Sequence, residues 1–336
     1  MHARQLVLMI ATVTMNFLTA TASAAIDQAT EERDIGYVEQ IVKEANSKGT
    51  QHSTKDGIDL LANAIVKIEL HDYYSFELEP ATRAALARID SYASTRAVTG
   101  DELIVEGLRA LLQSIGHGTW LGPPDRVGNR GPITHRSDGH FAIVTIPSVR
   151  NGSCEGAREA LEQENRAKPT GLVLDLRGNK GGPLKEIVCL HALFAGPGER
   201  PFKVRGRDGK DSEPVREIPR LPSTAQKLSM AVLLDDQTDM GGAMLAIALH
   251  DSIGAPLVGQ PARTIDGDVL TVMPLNAPLH DGVLEGRDFY LVLPTEELIR
   301  SNGQPLASGF ALDRTIPAAP DSAAAQIAEG LIGSPR

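Results

Sequence analysis

The sequence has few cysteines, few aromatic residues and no excess of positive charge. Its 336 residues include 2 Cys and 1 Trp, and 33 Lys and Arg stand against 43 Asp and Glu, for a net charge of -10. Nucleic-acid binding needs a clustered basic surface, so the composition argues against a nucleic-acid partner. The spacing and number of the cysteines do not fit a zinc site, and the nine histidines form no H-E-x-x-H pattern. We therefore predict no metal and no cofactor.

Long apolar runs are absent beyond the N-terminus. Residues 1–24 combine a basic start, an apolar stretch and the small-residue sequence Ala22-Ser23-Ala24, which is typical of a cleaved export signal. The alternative is a membrane anchor, but a span needs about 20 apolar residues, and two threonines and an asparagine interrupt this stretch. No later segment is apolar enough to predict a span in the mature chain. We expect a periplasmic or secreted protein, in which Cys154 and Cys189 could form a disulfide. The sequence does not give the distance between their Cα atoms, so the pairing stays open.

Two kinds of apolar pattern divide the rest of the chain. Residues 25–98 carry helical stripes such as Ile35, Val38 and Ile41, which predict a small helical N-terminal region. From Thr99, a candidate N-cap with Glu102 three residues later, strand-like and helical segments alternate through residues 99–320. This alternation is typical of parallel β-α-β units and predicts an α/β main body, followed by a C-terminal tail at 321–336.

The predicted order of elements in the main body can be stated by residue number. Strand-like segments lie at 141–149, 172–176, 230–234, 256–259 and 269–275. Helical segments lie at 154–167, 184–194 and 243–251, and the Gly- and Pro-rich stretch 122–139 is predicted as a loop or hairpin.

The run from Gly171 to Pro183, GLVLDLRGNKGGP, is the most informative segment. It is a buried strand followed by a polar turn and two glycines at the start of a helix. Glycine allows close backbone approach, and free N–H groups at a helix N-terminus can bind an anion or a developing oxyanion. The alternative interpretation is a tight turn in which Asp175 and Arg177 form a structural ion pair.

This run resembles the signature D-L-R-x-N-x-G-G of the carboxyl-terminal processing peptidases, also called tail-specific proteases. The residues that match are Asp175, Leu176, Arg177, Asn179, Gly181 and Gly182. In chain order, 103–121 with His117 resembles the family's helix and D-x-H-S-x-Y-L segment, 204–210 its hairpin, and 231–251 its nucleophile strand and helix. The resemblance implies a ClpP/crotonase-like spiral of β-β-α units, with polypeptide as the substrate class.

The family hydrolyses peptide bonds with a Ser nucleophile and a Lys general base. Carried onto this sequence, the Ser position falls on Met240 and the Lys position on Ile265. A thioether has no ionisable proton and an alkyl chain accepts none, so neither residue can do that chemistry.

The resemblance also implies an oxyanion or peptide-binding role for Gly181, Gly182 and Gly241. We therefore predict a pseudopeptidase that binds a polypeptide or a partner protein. The alternative is an active hydrolase with a relocated nucleophile, for which Thr238 is the fallback candidate, served by His117 or His250. The family's PDZ domain has no counterpart, because only 122–139 fills its place and a small domain needs roughly 50 residues.

Overall fold

The computed structural model of the protein describes residues 28–74, 76–122, 131–138, 140–195, 199–214, 228–262, 267–275, 289–316 and 330. The chain divides into two compact units, which are Met1–Pro124 with Leu270–Thr295, and Asp125–Val269 with Glu296–Arg336. The predicted export signal, Ile265 and the tail other than Gly330 lie outside the described residues.

Seven α-helices and eleven strands run through the described residues. The helices are α1 (Gln28–Lys48), α2 (Lys55–His71), α3 (Leu78–Ala93), α4 (Gly100–Ile115), α5 (Ser153–Glu164), α6 (Leu184–Ala195) and α7 (Met240–Ile253). The strands are β1 (Trp120–Gly122), β2 (Thr134–Asp138), β3 (Phe141–Thr145), β4 (Gly171–Asp175), β5 (Phe202–Gly206), β6 (Asp211–Ser212), β7 (Ser229–Leu234), β8 (Leu257–Gly259), β9 (Asp268–Pro274), β10 (Tyr290–Arg300) and β11 (Arg314–Thr315).

The first unit is built on helices α1 to α4, whose apolar stripes share one core. Ile41, Leu61 and Leu108 are each 0% exposed in that core. Helix α4 begins with a complete capping box, because the Thr99 hydroxyl accepts from the Glu102 amide and the Glu102 carboxylate accepts from the Thr99 amide. The predicted N-cap is confirmed, and so is the helical character of this region.

The second unit is organised by a six-stranded sheet in the order β11-β8-β7-β4-β3-β2. All neighbours are parallel except β2 and β3. Val144, Leu174 and Val232 lie side by side on adjacent strands and share one buried core with helices α5, α6 and α7. The residue before each of these three faces the other side of the sheet, because successive side chains in a strand point to opposite faces. The predicted α/β fold with parallel β-α-β units is confirmed.

Several element boundaries differ from the prediction for local reasons. Helix α7 begins at Met240, three residues earlier than predicted, because the Asp239 side chain caps the amide of Met240. The predicted strand 141–149 ends at Thr145, and the stretch 122–139, predicted as a loop or hairpin, contains strand β2, which pairs antiparallel with β3. The predicted hairpin is present as β5 and β6, whereas the eleven-residue strand β10 was not predicted.

The two cysteines are joined in a disulfide between α5 and α6. The Cα atoms of Cys154 and Cys189 are 5.8 Å apart, within the range that a disulfide requires. The structure therefore answers the question that the sequence left open.

His191, on α6, is a buried ionisable group in the core of the second unit. It is 0% exposed, and its Nε2 donates to the Ser252 hydroxyl at 2.8 Å, because that hydroxyl in turn donates to the Ala248 carbonyl. Among the described residues its Nδ1 atom has no hydrogen-bond partner. Burial lowers the pKa of His191 to about 4.

This lowered pKa predicts acid destabilisation that begins well above pH 4. Below about pH 6.5 this histidine binds a proton in the unfolded chain but stays neutral in the folded protein. We therefore expect His191 to lower the free energy of unfolding by about 2 kcal/mol at pH 5 relative to pH 7. Urea unfolding at the two pH values measures the difference. His191→Gln should remove that part of the pH dependence, while His140→Gln, at an exposed histidine, should retain it. An unchanged pH dependence in His191→Gln would contradict the assignment.

Candidate functional site

The candidate site lies where parallel strands β4 and β7 end. We call residues Leu176 to Pro183, which follow β4, the glycine turn. Strand β7 is followed by a short turn and by the N-terminus of α7. The carboxyl ends of parallel strands meet at one edge of a sheet, which brings these two segments together.

Two hydrogen bonds join the glycine turn to the segment that leads into α7. The Gly178 amide donates to the Asp235 carboxylate at 2.8 Å, and the Asp239 amide donates to the Asn179 carbonyl at 2.7 Å. Asp239 is the N-cap of α7, so its bond to Asn179 fixes the first turn of the helix against the glycine turn.

Asn179 is the central side chain of the glycine turn. It is 0% exposed, its Nδ2 donates to the Ile146 carbonyl at 2.7 Å, and its Oδ1 accepts from the Gly181 amide at 2.7 Å. The side chain thus ties the turn to the segment after β3 and sets the direction of the Gly181 amide. The Asn179 side chain therefore stabilises the conformation of the glycine turn.

Asp175 and Arg177 form a two-pronged ion pair at the start of the same turn. Arg177 Nη2 lies 2.6 Å from Asp175 Oδ2, and Arg177 Nε donates to Asp175 Oδ1 at 2.9 Å. The Arg177 amide also donates to that carboxylate. These contacts are those of the structural ion pair that the sequence left open as an alternative.

The three predicted glycines pack backbone against backbone. A Cβ atom built on Gly181 would lie 2.5 Å from the amide nitrogen of Gly241, and one on Gly182 would lie 1.8 Å from the Val149 carbonyl oxygen. Real Cβ contacts are never so short, so glycine at these positions is required by close approach. Packing alone therefore accounts for the residue type, whatever the turn binds.

Two main-chain amides remain uncommitted at this junction. Within the part of the chain that the structure describes, the amides of Gly182 and Gly241 donate no hydrogen bond. The Gly182 nitrogen lies 3.0 Å from a Cβ atom built on Gly241, so the two groups are close neighbours. Amides at a helix N-terminus can bind a carbonyl oxygen or an anion.

Met240 is the first residue of α7, and it is half-buried. Its amide donates to the Asp239 side chain at 2.9 Å, and the next residue, Gly241, is the one that contacts Gly181. Met240 therefore adjoins the glycine turn. Ile265 and the neighbouring Arg263 lie outside the described residues, so the distance from Ile265 to Met240 is not defined.

The Thr238 hydroxyl is used within its own turn. Thr238 is 0% exposed; its hydroxyl accepts from the Asp235 amide at 3.1 Å and contacts the Leu176 carbonyl at 3.0 Å and the Asp235 carboxylate at 2.9 Å. A hydroxyl held this way stabilises the turn, and it is not presented to a substrate.

The predicted histidine of the second unit, His250, does not lie beside Thr238. His250 is ten residues after Met240 on α7, which corresponds to about 15 Å of helix, and its Nδ1 contacts the Ala255 carbonyl. His117 belongs to the first unit, where its ring stacks on Tyr74 with a centroid separation of 3.9 Å.

Sequence reasoning missed two contributors to the site. Lys180 is half-buried, and its Nζ donates to the Gln237 carbonyl at 2.7 Å, which places a cation in the glycine turn. Val149 contributes its backbone, because its amide donates to the Gly181 carbonyl at 3.0 Å. The lysine was visible in the motif, whereas no sequence signal marks a main-chain contact.

The described residues include neither a membrane-spanning helix nor a cluster of metal-binding side chains. No helix there is both long and apolar enough to cross a membrane. No group of three or more His, Cys, Asp or Glu side chains in those ranges is arranged to hold a metal ion.

The chain is similar in sequence to a known processing protease. The carboxy-terminal processing protease CtpA of Bacillus subtilis (strain 168) is 26% identical over 123 residues, which cover 37% of this chain and 26% of the relative. The chain thus matches about a quarter of the length of that curated relative.

Solved structures share the fold at low sequence identity. A lipoprotein from Streptococcus agalactiae superposes with a TM-score of 0.59 at 14% identity, over 81% of this chain and 96% of that one. A structure from Parabacteroides merdae ATCC 43184 gives a TM-score of 0.50 at 12% identity, over 83% of this chain and 96% of that one. The model of peptidase family S41 matches residues 140–315, which is more than half of the sequence. The chain therefore belongs to peptidase family S41, the family of the carboxyl-terminal processing peptidases.

Proposed function

We propose that this chain is an exported member of family S41 that binds extended polypeptide without hydrolysing it. The observation that carries the proposal is Met240, which begins α7 directly before the contact of Gly241 with Gly181. The family motif puts its nucleophile at this position and its base at Ile265. A thioether and an alkyl chain cannot exchange protons with a substrate, so turnover by the family mechanism requires two groups that are absent at these positions.

Binding does not require the two lost groups. The amides of Gly182 and Gly241 have no partner among the described residues and can donate to a peptide carbonyl, and Lys180 adds a positive charge nearby. An extended peptide held by main-chain hydrogen bonds needs no nucleophile. We expect a dissociation constant of about 1 μM or weaker, because the peptide loses conformational entropy on binding.

An active hydrolase that uses Thr238 is less well supported. The Thr238 hydroxyl is buried and bonded within its own turn, and His250 lies about three helical turns along α7 from Met240. A nucleophile needs a base within hydrogen-bond reach; the Asp235 carboxylate contacts the Thr238 hydroxyl at 2.9 Å, but it also accepts from the Gly178 and Gln237 amides and is thereby committed to the turn.

The export assignment rests on two features. Residues 1–24 have the pattern of a cleaved export signal, and Cys154 is bonded to Cys189. Disulfides persist in oxidising compartments, which favours the periplasm or the exterior over the cytosol.

Active-site labelling tests the absence of turnover. We expect no labelling of the wild type by a serine-directed fluorophosphonate and no digestion of casein. Met240→Ser combined with Ile265→Lys should become labelled, because it restores both family groups, and Met240→Ala should stay unlabelled. Labelling of the wild type that Thr238→Ala abolishes in a folded protein would contradict the proposal.

The binding half of the proposal has its own test with a matched control. Fluorescence anisotropy of unstructured acidic peptides should show binding to the wild type, weakened several-fold in Lys180→Glu by charge reversal in the glycine turn. Lys168→Glu is the control, because Lys168 is exposed and precedes β4, about 17 Å of strand away from the turn that follows it. No binding to the wild type, or equal weakening by both variants, would count against a polypeptide site at the glycine turn.

A further inference from the structure

The glycine turn has a second set of contacts besides those with α7. The Val149 amide donates to the Gly181 carbonyl at 3.0 Å, and the Val149 carbonyl fills the space where a side chain on Gly182 would lie. The position of Val149 therefore determines where the turn can sit. Since glycine has more backbone freedom than any other residue, the turn depends on such neighbours for its shape.

The segment after Val149 leads into α5, a helix without a cap of its own. Its N-cap residue is Gly152, with φ of 88° and no side chain to accept from the first amides. Glu186 of α6 supplies the missing acceptor, because its carboxylate accepts from the Gly152 amide at 3.2 Å and from the Cys154 amide at 3.0 Å. A carboxylate at a helix N-terminus is stabilised by the unpaired amides and by the helix dipole.

The disulfide joins the same two elements. Cys154 is in the first turn of α5, and Cys189 is on α6, one turn beyond Glu186. On one side Val149 lies five residues before Cys154, and on the other Gly182 lies four residues before Glu186. The disulfide and the Glu186 contacts thus link two chain segments, and each of these segments leads directly to the glycine turn.

We propose that the Cys154–Cys189 disulfide and the Glu186 carboxylate act together as a clamp that holds the glycine turn in its binding geometry, so that thiol reduction weakens ligand binding there. The ligand in this inference rests on the proposed function, whereas the effect on the turn does not. Reduction by a dithiol transfers two electrons and two protons to the disulfide, which yields two cysteine thiols and converts the dithiol to its own disulfide.

Hydrogen exchange measures the state of the turn independently of any ligand. We expect the amides of residues 176–182 to exchange about tenfold faster after reduction with dithiothreitol, because local opening becomes easier once the clamp is released. Cys154→Ser/Cys189→Ser should match the reduced wild type, and Glu186→Gln should show a smaller increase with the disulfide intact. Leu298→Ala, which removes a fully buried side chain on β10, is the control for general destabilisation and should not accelerate this segment selectively.

Peptide affinity gives the second readout. Reduction should raise the dissociation constant of an unstructured peptide about fivefold, because a smaller fraction of the protein has the turn in its binding geometry. Unchanged exchange in 176–182 after reduction, or acceleration equal to that in Leu298→Ala, would overturn the clamp. If the exchange changes as expected while the oxidised wild type binds no peptide, the clamp stands and the proposed function fails. Should the double cysteine variant not fold, reduced wild type and Glu186→Gln decide the question.

Discussion

Replacing Gly181 by alanine is expected to lower the free energy of unfolding by at least about 3 kcal/mol. A Cβ atom at this position would lie 2.5 Å from the nitrogen and 2.7 Å from the Cα atom of Gly241, both backbone atoms that cannot rotate away. The new methyl group would therefore push the glycine turn off the N-terminus of α7. The left-handed backbone, with φ of 81°, adds a further cost for any residue with a side chain.

Gly209 provides a matched control for the backbone part of this cost. Its φ is 74°, close to that of Gly181, but a Cβ atom built on it meets nothing within 4 Å. Gly209→Ala should therefore cost only about 1 kcal/mol, and the difference between the two variants isolates the contact of Gly181 with Gly241. Urea unfolding of both proteins measures it. Equal losses would mean that the turn and the helix do not approach as closely as described.

The glycine pair also illustrates what the sequence could and could not predict about the site. The motif after β4 identified Gly181 and Gly182, because glycines after a buried strand indicate close backbone approach, and the family resemblance added Gly241. It did not identify what each one approaches. The partners, Gly241 and Val149, are separated from the motif along the chain, and their contacts involve main-chain atoms that are the same in every residue type.

The parallel sheet was predictable because its central strands are buried on both faces. The segment Gly171–Asp175 is buried at every position, so it reads as a short continuous apolar run bounded by polar residues. Helices of about twelve residues separate such runs, and that alternation has few topological solutions.

Strand β10 was missed for equally physical reasons. Its sequence YLVLPTEELIR contains Pro294, which argues against a strand interior, and ends in residues that favour a helix. The proline falls between the residues paired with β1 (Tyr290 to Val292) and those paired with β5 (Glu296 to Arg300). Tertiary pairing thus overrides local propensity, and it places Arg300 in the interior of the second unit.

Replacing Arg300 by methionine is expected to lower the free energy of unfolding by about 3 to 5 kcal/mol. Arg300 Nη2 lies 2.6 Å and Nε 2.8 Å from the Asp251 carboxylate, and the side chains are only 11% and 9% exposed. Arg300 Nη1 also donates to the Gly309 carbonyl at 2.9 Å. Without the guanidinium, a buried carboxylate would remain unpaired in the last turn of α7, where the helix dipole also disfavours negative charge.

A double variant separates the loss of the pair from the burial of a lone charge. Arg300→Met with Asp251→Leu leaves no unpaired charge, so it should recover most of the stability and lie within about 2 kcal/mol of the wild type. Arg205→Met is the surface control: Arg205 pairs with Asp211 at about one-third exposure, and its loss should cost less than about 1 kcal/mol. Urea unfolding at pH 7 compares all four proteins. A double variant as unstable as Arg300→Met would show that packing around Arg300, and not the unpaired Asp251, sets the cost.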